Sequence, residues 1–123
     1  MGKRVHVIAK HQEYGDSASF NWKCSEFHDF LDSLGAEVSP EDEYADEFEC
    51  QCVEYKKALD LLKKYKKKGA KAISNELEGL GYSPDDLEKD LAELGGIDYV
   101  LSEMCNFYNE RDKKSDWISF SAW

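Results

Sequence analysis

The sequence predicts a helix-rich α+β domain, with about five helices packed around one long central helix (about 40–68) and a small sheet containing the N- and C-terminal strands. Three observations predict it. An apolar stripe with steps of three and four residues runs through the middle of the chain. The signature of serine, proline and two acids recurs at Ser39-Pro40-Glu41-Asp42 and Ser83-Pro84-Asp85-Asp86, and reads as a helix start each time. Both ends of the chain alternate apolar and polar side chains, as half-buried strands do.

The central helix is expected to open at Ser39 as N-cap and Pro40 as first residue, with Glu41, Asp42 and Glu43 against the positive end of the helix dipole. Tyr44, Phe48, Cys52, Tyr55, Leu59 and Leu62 make its stripe, widened by Ala45, Ala58, Leu61 and Tyr65. Lys63, Lys64, Lys66, Lys67 and Lys68 meet the negative end, and Gly69 stops it. Such a helix is roughly 40 Å long at ~1.5 Å per residue, enough to cross a small domain.

In chain order, Arg4–Lys10 reads as a strand with Val5, Val7 and Ala9 on one face, and His11–Asp16 as a polar loop. Ser17–Leu34 takes a helical period through Phe20, Cys24, Phe27, Phe30, Leu31 and Leu34, capped by Asp16 or Ser17 and stopped at Gly35. Glu37 and Val38 form an extended link. A shorter helix spans about Lys71–Leu80, and the helix after Ser83 turns Leu87, Leu91 and Leu94 inward before Gly95-Gly96. Ile97, Val100, Leu101, Met104, Cys105 and Tyr108 give a last helix face, Asn109–Ser115 a charged turn, and Asp116–Ala122 a strand carrying Ile118 and Phe120 on one side. The terminal strands are expected to pair with each other, in a direction that the sequence leaves open.

The 123 residues suit a single domain, 1–123, and an apolar fraction of 41% supplies a core. No apolar run approaches the ~20 residues of a membrane span. The start Met-Gly-Lys-Arg-Val-His lacks the features of a signal peptide, so the expected location is cytoplasmic and the four cysteines are expected to be reduced. A net charge of −10 and a pI of about 4.7 argue against nucleic acid or an anionic membrane as partner. They suit a solvated surface, a basic partner or a cation.

Chemistry-bearing residues are few. Cys50-Gln51-Cys52, read inside a helix, splays its thiols about 200° apart, which suits neither one metal ion nor a redox pair. Cys24 and His28 share a helix face, and His6 and His11 could complete a metal site, but Cys24 lies in line with core residues and no second spaced ligand pair exists. His28 and Asp32 read as a solvated face. Gly79-Leu80-Gly81 lacks the strand and third glycine of a dinucleotide fingerprint. The lysine run 63–71 beside two short helices resembles a helix-turn-helix, yet the helix after Ser83 carries acids that phosphate would repel. The His11–Gly15 loop, with Asn21 and Trp22 nearby, reads as an ordinary polar turn that could also line a small pocket. No catalytic residue, metal ligand or cofactor is assigned.

The acidic tract from Glu76 to Asp98 is the most suggestive feature. Glu76, Asp85, Asp86, Glu88, Asp90 and Glu93 are the expected contact residues for a basic protein partner, which such a field would steer in. The resulting expectation is a non-catalytic module that binds and blocks a basic protein, by class analogy with the acidic immunity proteins that neutralise bacterial nuclease toxins. Two alternatives stand beside it: a structural or adaptor domain, monomeric or homodimeric, and a metal protein or enzyme built on Cys24, His28, His6 and His11.

Overall fold

A computed structural model describes residues 3–9 and 14–123. Among these residues the chain forms, in order, β1 (Val5–Ile8), β2 (Tyr14–Ser19), α1 (Cys24–Ser33), β3 (Glu47–Gln51), α2 (Cys52–Lys68), a 3-10 turn (Ala70–Ile73), α3 (Ser74–Leu80), α4 (Pro84–Leu94), α5 (Ile97–Glu110) and β4 (Trp117–Ala122). The architecture is the expected α+β, rich in helix, with both terminal strands in one sheet. The sheet is antiparallel in the order β2-β1-β4-β3. Val5 pairs with Ala122 and Val7 with Phe120, so the two ends of the chain do meet, and they run antiparallel.

The helices lie on one face of the sheet. Val5, Val7, Phe48, Cys50, Ile118 and Phe120 are buried there. Phe27 of α1 packs on Phe48 and Phe120, and Phe107 of α5 and Tyr55 of α2 pack on Phe120. Tyr55 is fully enclosed and its hydroxyl donates to Met104 O at 2.7 Å, tying α2 to α5. The opposite face carries Glu49 with Ser119, and His6 stacked on Trp123 at 3.9 Å.

The long helix starts later than the periodicity suggests. Residues 41–46 are irregular, Glu47–Gln51 is a strand, and α2 spans only Cys52–Lys68. Ser39 is no N-cap. Its backbone N–H donates to Glu49 O and its carbonyl accepts from Glu49 N–H, extending the sheet edge, and the Ser39–Pro40 peptide is cis. The apolar steps of four at Tyr44, Phe48 and Cys52 mimic a helix. Phe48 and Cys50 also alternate with Glu47, Glu49 and Gln51, and pairing with β4 from Glu47↔Ser121 to Gln51↔Trp117 decides between the two periods. Tyr44, expected in the stripe, is 73% exposed. Cys50 and Cys52 therefore do not share a helix.

The helix expected over Ser17–Leu34 also begins late. Asp16 and Ser17 belong to β2, while helix starts at Cys24. Of the expected His11–Asp16 loop, residues 11–13 lie outside the described residues and Tyr14–Asp16 are strand. Helix 71–80 is divided into the 3-10 turn and α3. The second proline signature holds as read: Ser83 Oγ accepts from Asp86 N–H at 3.0 Å, and α4 buries Leu87, Leu91 and Leu94. Gly69 ends α2 at φ +86°, with its N–H on Tyr65 O. Among the described residues no helix is long and apolar enough to cross a membrane.

Candidate functional site

α1 borders three of the surface concavities. Its inner side buries Cys24, Phe27, His28, Phe30 and Leu31. That leaves Ser25, Glu26, Asp29 and Asp32 along its outer side, at the spacing of one helix face. A groove of about 120 Å³ between α1 and α4 is lined by Glu26, Asp29, Phe30, Asp90, Glu93 and Leu94. On the other flank a wider cleft of about 520 Å³ is lined by His28, Asp29, Asp32, Glu37, Val38 and Glu41. A third depression, of about 100 Å³, is lined by Lys3, Trp22, Cys24, Ser25, Glu43, Tyr44 and Ala45. Asp29 borders two of the three, and its carboxyl acts on that of Glu43, which lines the third.

His28 positions the segment after α1. The expectation of a solvated His28 face does not hold, because the ring is 2% exposed. Its Nε2 lies 2.8 Å from Pro40 O, so this nitrogen carries the proton and donates, and the ring packs edge-on against Phe48 at 5.2 Å. This contact brings Glu37, Glu41 and Glu43 alongside the acids of α1. Asp32 is exposed, as expected.

The electrostatics of this face are those of crowded like charges. The Glu43 carboxyl is held above its usual range, first by its hydrogen bond with the Asp29 carboxyl and then by the Asp29 charge. Glu26 Oε2 is buried with no hydrogen-bond partner among the described residues. Lys23 supplies a countercharge, with Nζ 3.0 Å from Glu93 Oε1, and that bond raises its own pKa. Asp90 accepts from the Tyr82 hydroxyl, whose phenol is pushed up chiefly by burial and then by this bond.

The structure divides the six acids expected to contact a partner. Asp90 and Glu93 line the α1–α4 groove. Asp85, Asp86 and Glu88 are exposed elsewhere on α4. Glu76 sits on α3, where Lys64 Nζ lies 3.2 Å from its carboxylate. The same lysine-rich end of α2 holds Asp98 through Lys66 at 2.8 Å. The tract thus carries more countercharge than Lys89 alone. Sequence reasoning missed Glu26 and Asp29 as neighbours of α4, and Glu37 and Glu41 as neighbours of Asp29 and Asp32. The one available signal was the i, i+3 and i+6 spacing of Glu26, Asp29 and Asp32.

The alternative cluster is dispersed. His6 Nε2 lies 3.2 Å from Trp123 O, Cys24 Sγ donates to Lys3 O at 3.5 Å, and His28 holds Pro40. His11 is outside the described residues. Burial pushes the Cys24 thiol up and the Cys50 thiol up to about 12, away from the thiolate that nucleophilic or metal chemistry needs. Among the described residues, no three His, Cys, Asp or Glu side chains are grouped to hold a metal ion. No family model matches the chain, and neither a curated protein nor a solved structure is similar to it.

Proposed function

We propose that this chain is a non-catalytic cytoplasmic module that binds a basic protein through the acidic face centred on α1 and blocks that protein by occupying it. The observation that carries the reading is the convergence on Asp29 of carboxylates from three separate stretches: Glu26 and Asp32 of α1, Glu37, Glu41 and Glu43 after it, and Asp90 and Glu93 of α4. Like charges gathered on one face destabilise the free protein, and a cationic partner relieves them. The net charge of −10 adds long-range attraction for the same partner. Glu76 drops out of the contact set, because it lines neither cleft beside α1 and is held by Lys64 of α2.

The test is capture from native lysate at low and high salt, with wild type beside a variant carrying Asp29→Lys, Asp32→Lys and Glu93→Lys. A basic protein is expected on the wild type, released as salt rises because screening shortens to ~8 Å at physiological ionic strength. Association with the triple variant should slow by about tenfold or more, with an unchanged circular-dichroism spectrum. Capture that is indifferent to both salt and charge reversal rules the reading out.

A further inference from the structure

Beside the acidic face stand Trp22, 67% exposed, and Tyr44, 73% exposed. Among the described residues these are the two most exposed of the large hydrophobic side chains, and both line the same depression. Each is displayed by a hydrogen-bonded turn. Trp22 has φ +62° and Phe20 φ +58°, a left-handed conformation that a bulky residue rarely adopts. Trp22 N–H on Lys3 O and Lys23 N–H on Phe20 O, both at 2.8 Å, hold that turn. It sends the Phe20 ring inward onto Phe27 at 4.4 Å and leaves Trp22 outside. Tyr44 follows a turn in which Asp42 Oδ1 accepts from Tyr44 N–H at 2.9 Å. Rigidly presented Trp and Tyr side chains beside a depression are the usual anchors of a protein interface.

The charge around the pair selects what fits. Exposed aromatic faces attract cations, and the Glu43 carboxylate lines the same depression, backed by Asp29. Lys3, also on the lining, already has Asp46 at 3.2 Å as counterion. A guanidinium matches both parts, since it stacks flat on an aromatic ring and offers a planar fork to a carboxylate. Among the described residues the ring contact has a parallel, with the Arg111 guanidinium 3.7 Å from the Tyr108 ring centre.

We propose that the depression between Trp22 and Tyr44 is the socket for an arginine side chain of the basic partner, stacked on the two rings and paired with Glu43. The assignment deepens the reading of the acidic face and rests on it.

The test is an NMR titration of the full chain with the capped peptide acetyl-Gly-Arg-Gly-amide, beside the same peptide carrying citrulline, which keeps the shape and loses the charge. The Trp22 indole N–H signal is expected to move and saturate with the arginine peptide, and to respond about tenfold more weakly to citrulline. Trp22→Ala and, separately, Tyr44→Ala should abolish the response at the neighbouring Cys24 and Ala45 amides, and Glu43→Gln should weaken it. Equal responses to the two peptides, no response at Trp22, or shifts centred on Trp117 or Trp123 would overturn the socket. So would a Trp22→Ala variant that converts a dimer to a monomer, since the occupant is then a second copy of this chain. If the peptide is silent while charge-sensitive capture of a basic protein persists, the socket falls and the partner reading stands. If the peptide binds at Trp22 and no charge-sensitive capture exists, the partner reading falls instead.

Discussion

Glu76 and Glu43 are the same residue type on the surface of the same acidic protein, and their surroundings drive them in opposite directions. Glu76 accepts from its own backbone N–H and from Lys64, and its carboxyl is held below the usual range. Glu43 faces the Asp29 carboxyl, and that neighbour holds it above the usual range. Around α3 and the end of α2 the excess acid is neutralised within the molecule, by Lys64 on Glu76 and Lys66 on Asp98. Around α1 the acids face one another, with Lys23 on Glu93 as the ion pair at the α4 edge and the buried His28 ring beside Asp29, its Nδ1 3.4 Å from the carboxylate. Net charge therefore says little about where a partner binds. The informative quantity is charge left without a countercharge once the chain has folded.

The comparison depends first on α2 standing where it does, because Lys64 and Lys66 ride on it. Leu59 anchors its buried side at 2% exposure, so Leu59→Ala should cost ~2–5 kcal/mol in urea unfolding. A loss below about 1 kcal/mol would mean that α2 is not held by this stripe. Tyr55→Phe tests the same anchor more gently. The hydroxyl bond to Met104 O at 2.7 Å is enclosed in the core, and its removal takes a second donor from an α5 carbonyl and the link between the two helices. A cost of ~1–2 kcal/mol is expected.

The smallest effects are the ones that sharpen the contrast, since they have opposite signs. A carboxyl whose folded pKa is lowered adds stability above its ordinary range and loses it as pH falls through the lowered value. Glu76→Gln should therefore unfold at lower urea than wild type at about pH 7, with the gap closing on acidification. A carboxyl whose folded pKa is raised adds stability only below its ordinary range and loses it as pH rises through the raised value. Glu43→Gln should thus match or exceed wild type at about pH 7, and that advantage should vanish toward about pH 4. Shifts of the same sign in the two variants would break the distinction between the two regions.

Several elements are legible in the sequence, and for local reasons. The Ser83-Pro84 start of α4 is settled within four residues by a side-chain oxygen and an orphan N–H. The C-terminal strand declares itself by alternation, as does Val5–Ile8. The Ser39-Pro40 signature has equivalent local chemistry and yet opens no helix. The difference lies downstream: Phe48 and Cys50 find Phe120 and Ile118 across the sheet, and that burial outweighs a cap. β2 escapes a sequence reading because Tyr-Gly-Asp-Ser-Ala-Ser has little apolar alternation.

The candidate face is legible only as composition. That the protein is acidic, that α4 turns Leu87, Leu91 and Leu94 inward, and that its acids point to water all follow from residue types and a period of 3.6. Which acids become neighbours depends on contacts between residues distant in sequence. Those contacts are the His28 bond to Pro40, the docking of α4 against α1, and the lysines of α2 reaching Glu76 and Asp98. Periodicity assigns a side chain to the inside or the outside of its own helix, because that is a local balance of burial and solvation. The company it keeps outside is decided by the packing of other elements, and no local pattern encodes that.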